Sequence, residues 1–352
     1  MTMRNETREL WDKYIARQVE LNGVTVGAVT KGFNLAPSVA QTLEDKTQQS
    51  DEFLKKINIV GVPEQEGEKI GLGINGPLAS TNDSTTDRRV PRSVHTLENN
   101  KYRCEKTNTD TFISYAQLDM WAKFKDFQTR ITNQIIKRRA LDRITVGFNG
   151  TSRADKSDLN ANPLLQDVNI GWLQQYRLHA PQRVMKDVTI TSRDDENKVV
   201  AKGMYGNVDS LVYDAKNNLL DEWNKRSTEL VVICGGNIVT SKEFSILNAI
   251  SASNPNSEAL AGQLLVASKK IAGLDSYIAP FFPDGTLFIT PFQNLSIYFM
   301  DDKHRRMIRE EPHYNRVATY ESSNDAYVVE DYGFGCLVEG ITFAKAETGG
   351  GA

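Results

Sequence analysis

Residues 114–150 carry the longest helical pattern in the sequence, and no other segment restricts the fold as much. Apolar residues recur there three or four positions apart, which places them along one face of an amphipathic helix. They are Met120, Phe124, Phe127, Ile131 and Ile135, followed by a second row of Ile136, Ala140 and Ile144. The pattern predicts one continuous helix.

Both ends of this helix are marked by sequence signals. Ser114 and Gln117 match a capping box, in which two side chains satisfy free N–H groups of the first turn. Asn149-Gly150 supplies a stop, because glycine readily takes the conformation that follows a last helical turn. A helix of this length would span roughly 45–50 Å, which is more than a compact domain of ordinary size needs. We therefore expect it to act as a spine along which other elements lie.

The composition is that of a globular, soluble chain. Of its 352 residues 39% are hydrophobic and 25% are charged, and no apolar run reaches the length of a membrane span. The first 23 residues are too charged for a secretory signal. Cys104, Cys234 and Cys336 are odd in number and far apart, so no disulfide framework is expected. We expect no contact with a membrane.

The net charge of −3 argues against a protein that holds nucleic acid by neutralising phosphates. It does not argue against one that merely encloses nucleic acid.

The N-terminal region contains a short amphipathic helix at residues 4–22, ended by Asn22-Gly23. Residues 24–38 are polar and rich in glycine. This layout predicts a helix weakly tied to the core, typical of a detachable or partner-binding element.

Two strand-like arms, at residues 68–76 and 102–114, flank a long polar segment. A connection of this length in a compact domain is either functional or an extended projection. We expect a long hairpin that projects from the body and lies on another surface.

From about residue 206 the pattern changes to α/β. A hairpin is predicted just before it, from strands at 184–190 and 199–204. The predicted helices are 208–219, 241–251 and 258–272, and the predicted strands are 230–234, 287–290, 295–300, 325–330 and 335–343.

Signals of an enzyme are weak. Gly71, Gly73 and Gly76 match GxGxxG, but Pro77 and a polar run follow where a dinucleotide site requires a helix. Asp301, Asp302 and His304 fit a charged turn better than a metal site. We expect no catalytic residues, no metal and no cofactor.

Several long segments are similar to a known family. NPLLQDVNIGWLQQYR, NLSIYFMDDKHRRMI and YVVEDYGFGCLVE closely resemble major capsid proteins of temperate contractile-tailed phages of the peduovirus type. The resemblance runs from about residue 5 to residue 343. It implies an α+β chain with the Hong Kong 97-type capsid fold.

In the terms of that family, the chain divides into six parts. Residues 1–33 resemble a removable scaffold-like segment, 34–60 an N-arm and 61–110 an extended E-loop. Residues 111–205 resemble a peripheral domain with the spine helix, 206–320 an axial domain, and 321–352 the strands that return to the peripheral domain and the tail.

The resemblance also implies a function and partners. It implies hexamers and pentamers in an icosahedral shell that encloses double-stranded DNA without reading its sequence. It further implies an internal scaffolding protein with a protease, a portal protein, assembly in the bacterial cytoplasm and a place in the virion. Rival interpretations are an encapsulin-like shell of the same fold and a nucleotide-binding α/β enzyme.

Specific residues follow as expectations. Removal of the N-terminal segment places the boundary at Phe33 and Asn34. Some capsids of this fold cross-link a lysine to an asparagine, but nothing near Lys69 and Asn75 activates the lysine, so no cross-link is predicted. The candidate contacts between subunits are Arg88, Arg89, Arg92, Lys137, Arg138, Arg139, Arg305, Arg306 and Arg309.

Overall fold

A computed structural model describes residues 3–69, 79–81, 88, 90–91, 101–124, 127–193, 198–238 and 270–345. The helices are α1 (Asn5–Asn22), α2 (Val26–Lys31), α3 (Pro37–Gln49), α4 (Tyr115–Trp121), α5 (Phe127–Asn149), α6 (Trp172–His179) and α7 (Val208–Leu219). The strands are β1 (Phe33–Asn34), β2 (Asn58–Val62), β3 (Glu66–Glu68), β4 (Lys101–Arg103), β5 (Glu105–Asn108), β6 (Thr111–Ser114), β7 (Val184–Lys186), β8 (Thr189–Ile190), β9 (Ser192–Arg193), β10 (Val199–Ala201), β11 (Val231–Cys234), β12 (Lys270–Ile271), β13 (Leu274–Ile278), β14 (Leu287–Thr290), β15 (Leu295–Met300), β16 (Arg305–Glu311), β17 (Arg316–Val329), β18 (Cys336–Glu339) and β19 (Thr342–Phe343).

The chain forms two compact units. The first comprises Met1–Gly67, Tyr102–Gly171 and Ser296–Val328, and the second comprises Glu68–Lys101, Trp172–Leu295 and Val329–Ala352. This division differs from the one implied by the resemblance, in which residues 321–352 return to the domain of the spine helix. Residues 1–33 are likewise part of the first unit rather than a unit of their own.

The first unit contains a seven-stranded sheet. Its path runs β1-β16-β17-β15-β2, and β5 and β6 both pair antiparallel with β17. The strand predicted at 295–300 is confirmed, whereas the one predicted at 325–330 is the end of the much longer β17.

The expected continuous spine helix is wrong. The capping box at Ser114 is present and the helix ends at Asn149 as predicted, but α4 stops at Trp121 and a turn follows, in which the Phe124 N–H donates to the Trp121 carbonyl. Met120 and Phe124 remain exposed. A helix in a protein gains most of its stability from burying an apolar face, and this part lacks that burial. The remaining α5 is about 35 Å long.

The second predicted row does form a core face. Ile136, Ala140 and Ile144 are all buried on α5, as the spacing predicts.

The second unit is built on a six-stranded sheet of order β12-β13-β11-β14-β18-β7. The buried face of α7 contributes Val208, Leu211, Val212 and Ala215 to its core. The three cysteines are free and buried.

Two sequence predictions fail in the second unit. The hairpin of 184–190 with 199–204 does not form, because β7 pairs parallel with β18 and β8 with β19, leaving a smaller β9–β10 hairpin. Residues 270–271 are the strand β12 rather than a helix end. The helix predicted at 241–251, and the part of 258–272 before residue 270, lie outside the described residues.

Among the described helices, none is both long and apolar enough to cross a membrane.

Candidate functional site

The N-terminal segment is firmly docked on the first unit, which corrects the expectation of a weakly tied helix. Trp11 and Tyr14 of α1 are buried in a cluster that includes Phe33. The Arg8 guanidinium donates to both carboxylate oxygens of Glu310, at 2.7 and 2.8 Å. Bidentate pairs of this kind combine strength with fixed geometry. Any removal of this segment therefore uncovers a packed apolar surface.

The expected boundary at Phe33 and Asn34 lies in an ordered edge strand. These two residues form β1 and pair antiparallel with Arg306 and Arg305 of β16. The Phe33 side chain is buried, and Asn34 is exposed. Gly32, just before the strand, has a φ of +99°, a conformation that favours glycine. The expected boundary thus lies between α2 and α3, in a strand that pairs with β16.

A buried cluster of charges joins α3, α5 and β17. Glu44 accepts hydrogen bonds from Arg139, at 2.7 Å, and from Arg143, and Arg143 also donates to Asp325 at 3.1 Å. All four side chains are at least 95% buried. Buried charges are tolerated when they are paired in this way, so the cluster fixes how the long helix sits on the sheet.

The cluster shifts the pKa values of its members. Burial alone would raise the pKa of Glu44, but the adjacent Arg139 and Arg143 guanidiniums lower it to about 2. His304 lies beside it, with its Nδ1 3.7 Å from Glu44 Oε1. Burial, reinforced by the charge of Arg139, lowers the pKa of His304 to about 3. Glu44 is therefore ionised and His304 neutral at physiological pH.

Two of the nine predicted contact residues are at least partly buried and form ion pairs inside their own unit. Arg139 is 4% exposed and bonded to Glu44. Arg306 pairs with Glu321 and donates to Gln18 at 3.1 Å. Local sequence could not reveal these partners, because Glu44 is 95 positions from Arg139. We remove both arginines from the candidate contacts.

The other candidates are exposed or lie outside the described residues. Arg88, Lys137, Arg138, Arg305 and Arg309 are exposed, and Arg138 pairs with Asp142 one helical turn away. Arg89, Arg92 and the GxGxxG motif at residues 71–76 lie outside the described residues.

The sequence did not predict an exposed cluster on the first unit in which a guanidinium lies against two aromatic rings. The Arg316 guanidinium carbon lies 4.7 Å from the ring centroid of Phe112 and 4.8 Å from that of Tyr314. The two aromatic residues are 60% and 70% exposed. Tyrosine and arginine are enriched where protein interfaces gain most of their energy. The sequence signal was weak, because Phe112 stands beside a second apolar residue, Ile113, in the four-residue strand β6.

Lys69 has an environment that the sequence did not suggest. Its Nζ lies 4.2 Å from the Tyr332 ring centroid and has no hydrogen-bond partner among the described residues. Burial lowers the pKa of Lys69 to about 8. The premise that nothing local activates this lysine is therefore wrong, although the absence of a cross-link stays a prediction, since Asn75 lies outside the described residues.

Asp301 and Asp302 lie in a short 3-10 turn, Asp301–Lys303, as the charged-turn interpretation predicts. No group of three or more His, Cys, Asp and Glu side chains placed to hold a metal ion occurs in the described part of the chain.

Sequence comparison identifies the relatives of this chain. Residues 10–341 match the profile of a protein family described as "Phage major capsid protein, P2 family". The major capsid protein of Serratia phage KSP20 is 53% identical over 99% of this chain and 100% of its own length. The "Capsid proteins" of Escherichia phage P2 are 47% identical over 98% of this chain and 97% of their own length.

A solved structure agrees with these matches. A chain of the satellite phage P4 procapsid, a structure that includes the size determination (Sid) protein, superposes with a TM-score of 0.77 at 43% identity. The superposition covers 98% of this chain and 100% of the other. The architecture is the α+β Hong Kong 97-type capsid fold.

Proposed function

Because this chain belongs to the P2 family of phage major capsid proteins, and is thus a structural subunit of a phage shell, we propose that it assembles into hexamers and pentamers that close around double-stranded DNA. The observation that carries the proposal is the 53% identity to a major capsid protein over 99% of the chain. Many moderate contacts, repeated over all copies, give a strong shell from individually weak interfaces.

Native mass spectrometry of unassembled protein tests the proposed capsomers. The subunit mass is 39.4 kDa. We expect species at five and six times this value. A distribution that stops at dimers or tetramers would contradict the proposal.

We also propose that residues 1–33 are removed during maturation, by a protease carried on an internal scaffolding protein, and that a portal protein occupies one vertex. The boundary at Phe33 and Asn34 follows Gly32 and falls in a two-residue edge strand, which opens at lower cost than a central strand. The removed segment carries five basic and four acidic residues, so the net charge changes from −3 to −4. An acidic lining does not grip packaged DNA.

The intact mass of protein from mature particles tests the removal. We expect a chain that begins at Asn34. A full-length mass in mature, DNA-filled particles would contradict the cleavage without affecting the assignment to the shell.

Two further assignments belong to the same proposal. Residues 61–110 act as the E-loop, and residues 206–320, of which 296–320 belong to the first unit, contribute the axial domain around a capsomer centre. In this proposal five exposed basic residues contact either a neighbouring shell subunit or the scaffolding protein. They are Arg88, Lys137, Arg138, Arg305 and Arg309. Single exposed ion pairs contribute about 0–1 kcal/mol, so their role is to set register rather than strength.

Charge reversal tests these contacts. We expect Arg305→Glu combined with Arg309→Glu to reduce assembly while leaving the circular dichroism spectrum and the unfolding midpoint unchanged. Lys55→Glu, at an exposed lysine outside the proposed contacts, is the matched control. Normal shell yield from the double variant would exclude this basic strand from the interface.

A further inference from the structure

The start of α1 is capped by a residue from another part of the first unit. Arg4, the residue before the helix, makes no capping hydrogen bond with its own side chain. Instead, the Asp119 carboxylate of α4 accepts hydrogen bonds from the Arg4 backbone N–H, at 3.2 Å, and from the Thr7 hydroxyl, at 2.6 Å. A carboxylate at the positive end of a helix dipole stabilises the helix. Asp119 therefore takes the place of a capping side chain at Arg4.

A shared carboxylate holds α1 about one turn further on. The Arg8 guanidinium donates to both oxygens of Glu310, at 2.7 and 2.8 Å. The Tyr115 hydroxyl donates to the same carboxylate, at 2.7 Å. Because Glu310 lies on β16 and Tyr115 begins α4, one acid joins α1 to two other elements.

Further contacts continue along α1 towards its end. Arg306 of β16 donates through Nη1 to Gln18 Oε1, at 3.1 Å. Between these polar contacts, Trp11 is buried in a cluster that includes Leu118 of α4 and Ile308 of β16. Burial of apolar surface is the main favourable term in most protein associations. The helix is thus held near both ends and along its middle.

All of these contacts are noncovalent, and none of them requires an intact backbone between α1 and α3. Cutting the chain in that connection removes only the high effective concentration that a short linker provides. We propose that α1 stays bound to the surface of α4 and β16 after such a cut, so that cleavage and release of the segment are separate steps. An isolated helix of 18 residues is marginal in water, so α1 keeps its helical form only while it is docked.

The place of this inference in maturation rests on the proposed removal of residues 1–33. While α1 stays docked, the protease alone does not uncover Leu118 and Ile308. A second event must break the hydrogen bonds to Asp119 and Glu310 before this apolar surface becomes available. The docking surface on α4 and β16 is then a binding site for the cleaved helix of the same chain.

A cut between α1 and α2 in the full-length chain tests the retention. A recognition sequence for a site-specific protease is inserted after the exposed Gly23, where an added Cβ would meet nothing within 4 Å. The unassembled protein is cut and passed through a size-exclusion column, and its fractions are analysed by mass spectrometry. At about 1 μM protein we expect the helix fragment to elute with the rest of the chain, which requires a dissociation constant below that concentration.

Variants of the shared carboxylate identify the contacts that retain the helix. Glu310→Gln removes the charge that Arg8 binds and leaves the sequence of α1 unchanged. We expect this variant and Arg8→Ala each to weaken retention by about tenfold, as the loss of a charged hydrogen-bonded pair does. The double variant should lose little more than either single variant, because both act through one contact. The uncut variants should keep the circular dichroism spectrum of the parent, which separates lost docking from lost folding.

Lys13→Ala, at an exposed lysine of α1, is the matched control and should elute like the parent. Separation of the fragment from the cut parent protein would overturn the inference, and so would an equal loss from Lys13→Ala and Arg8→Ala. Neither result affects the proposed removal of residues 1–33, which the intact mass of the mature chain measures. Conversely, a full-length mass in mature particles would contradict the cleavage and leave the retention of the cut helix standing.

Discussion

Glu44 shows how a single carboxylate can organise a unit. Arg139 and Arg143 both bind it, and Arg143 continues to Asp325. Ion pairs at this depth gain little net free energy, because desolvation offsets attraction, but losing one partner leaves an uncompensated buried charge. Their value lies in permitting one arrangement of α3, α5 and β17.

Removing the charge of Glu44 should therefore be costly. We expect Glu44→Gln to lower the free energy of unfolding by about 3–5 kcal/mol, since two buried guanidiniums lose their common partner. Urea unfolding of the unassembled chain measures this. Glu52→Gln, at an exposed carboxylate paired with Lys55, is the control and should leave the stability unchanged. If Glu44→Gln changed the free energy of unfolding as little as Glu52→Gln does, water would have to enter the cluster.

The buried His304 makes the stability of the first unit depend on pH. The folded pKa of about 3 lies below the ordinary value of 6.5, so below pH 6.5 the unfolded chain takes up a proton that the folded chain does not. The loss of stability caused by His304 is absent above pH 6.5 and grows as the pH falls towards 3. Glu44 adds a further loss below its ordinary value of 4.5, down to about 2.

Unfolding free energies measured between pH 7 and pH 5 test the role of His304. We expect His304→Gln to flatten the decline in this range, whereas His313→Gln, at an exposed histidine, should retain it. An unchanged slope in the His304 variant would place the responsible group elsewhere.

At the scale of elements, local signals predicted the ends of helices well. The capping box at Ser114, the stop at Gly23 and the end at Asn149 each depend on residues within one turn. The break after Trp121, the burial of Arg139 and the pairing of β7 with β18 depend on partners far along the chain. Periodicity carries no information about such partners, so these features could not be predicted.

Among the elements, α1 departs most from its sequence-based expectation, because it is packed on the first unit rather than weakly tied to it. We expect Trp11→Ala to lower the stability of the first unit by about 3–5 kcal/mol, as truncation of a buried aromatic residue does. Val26→Ala, at an exposed position of α2, is the control. Thermal unfolding of the full-length chain measures both. An unchanged thermal unfolding midpoint for Trp11→Ala would contradict this packing and support the weakly tied helix expected from the sequence.

At the scale of the whole molecule, we expect exposed aromatic residues to mark surfaces that neighbouring copies cover. Phe112 and Tyr314 enclose Arg316 yet remain mostly exposed. We expect Tyr314→Ala to leave the fold intact and to reduce the rate and yield of shell assembly, followed by light scattering. Leu159→Ala, at another exposed apolar residue of the first unit, is the control. Unaltered assembly by Tyr314→Ala would show that the stack faces solvent in the shell.

The function at this scale was assigned from family membership, because shell geometry is a property of many copies rather than of one chain. Residues within one chain cannot display a hexamer, and the sequence pointed to it only through long segments shared with phage capsid proteins.

Electron cryo-microscopy of particles isolated with this chain as the major component tests the central claim most directly. We expect closed icosahedral shells whose pentamers and hexamers accommodate the present fold in every subunit. Small oligomers without a closed shell, or shells built from another protein, would contradict it.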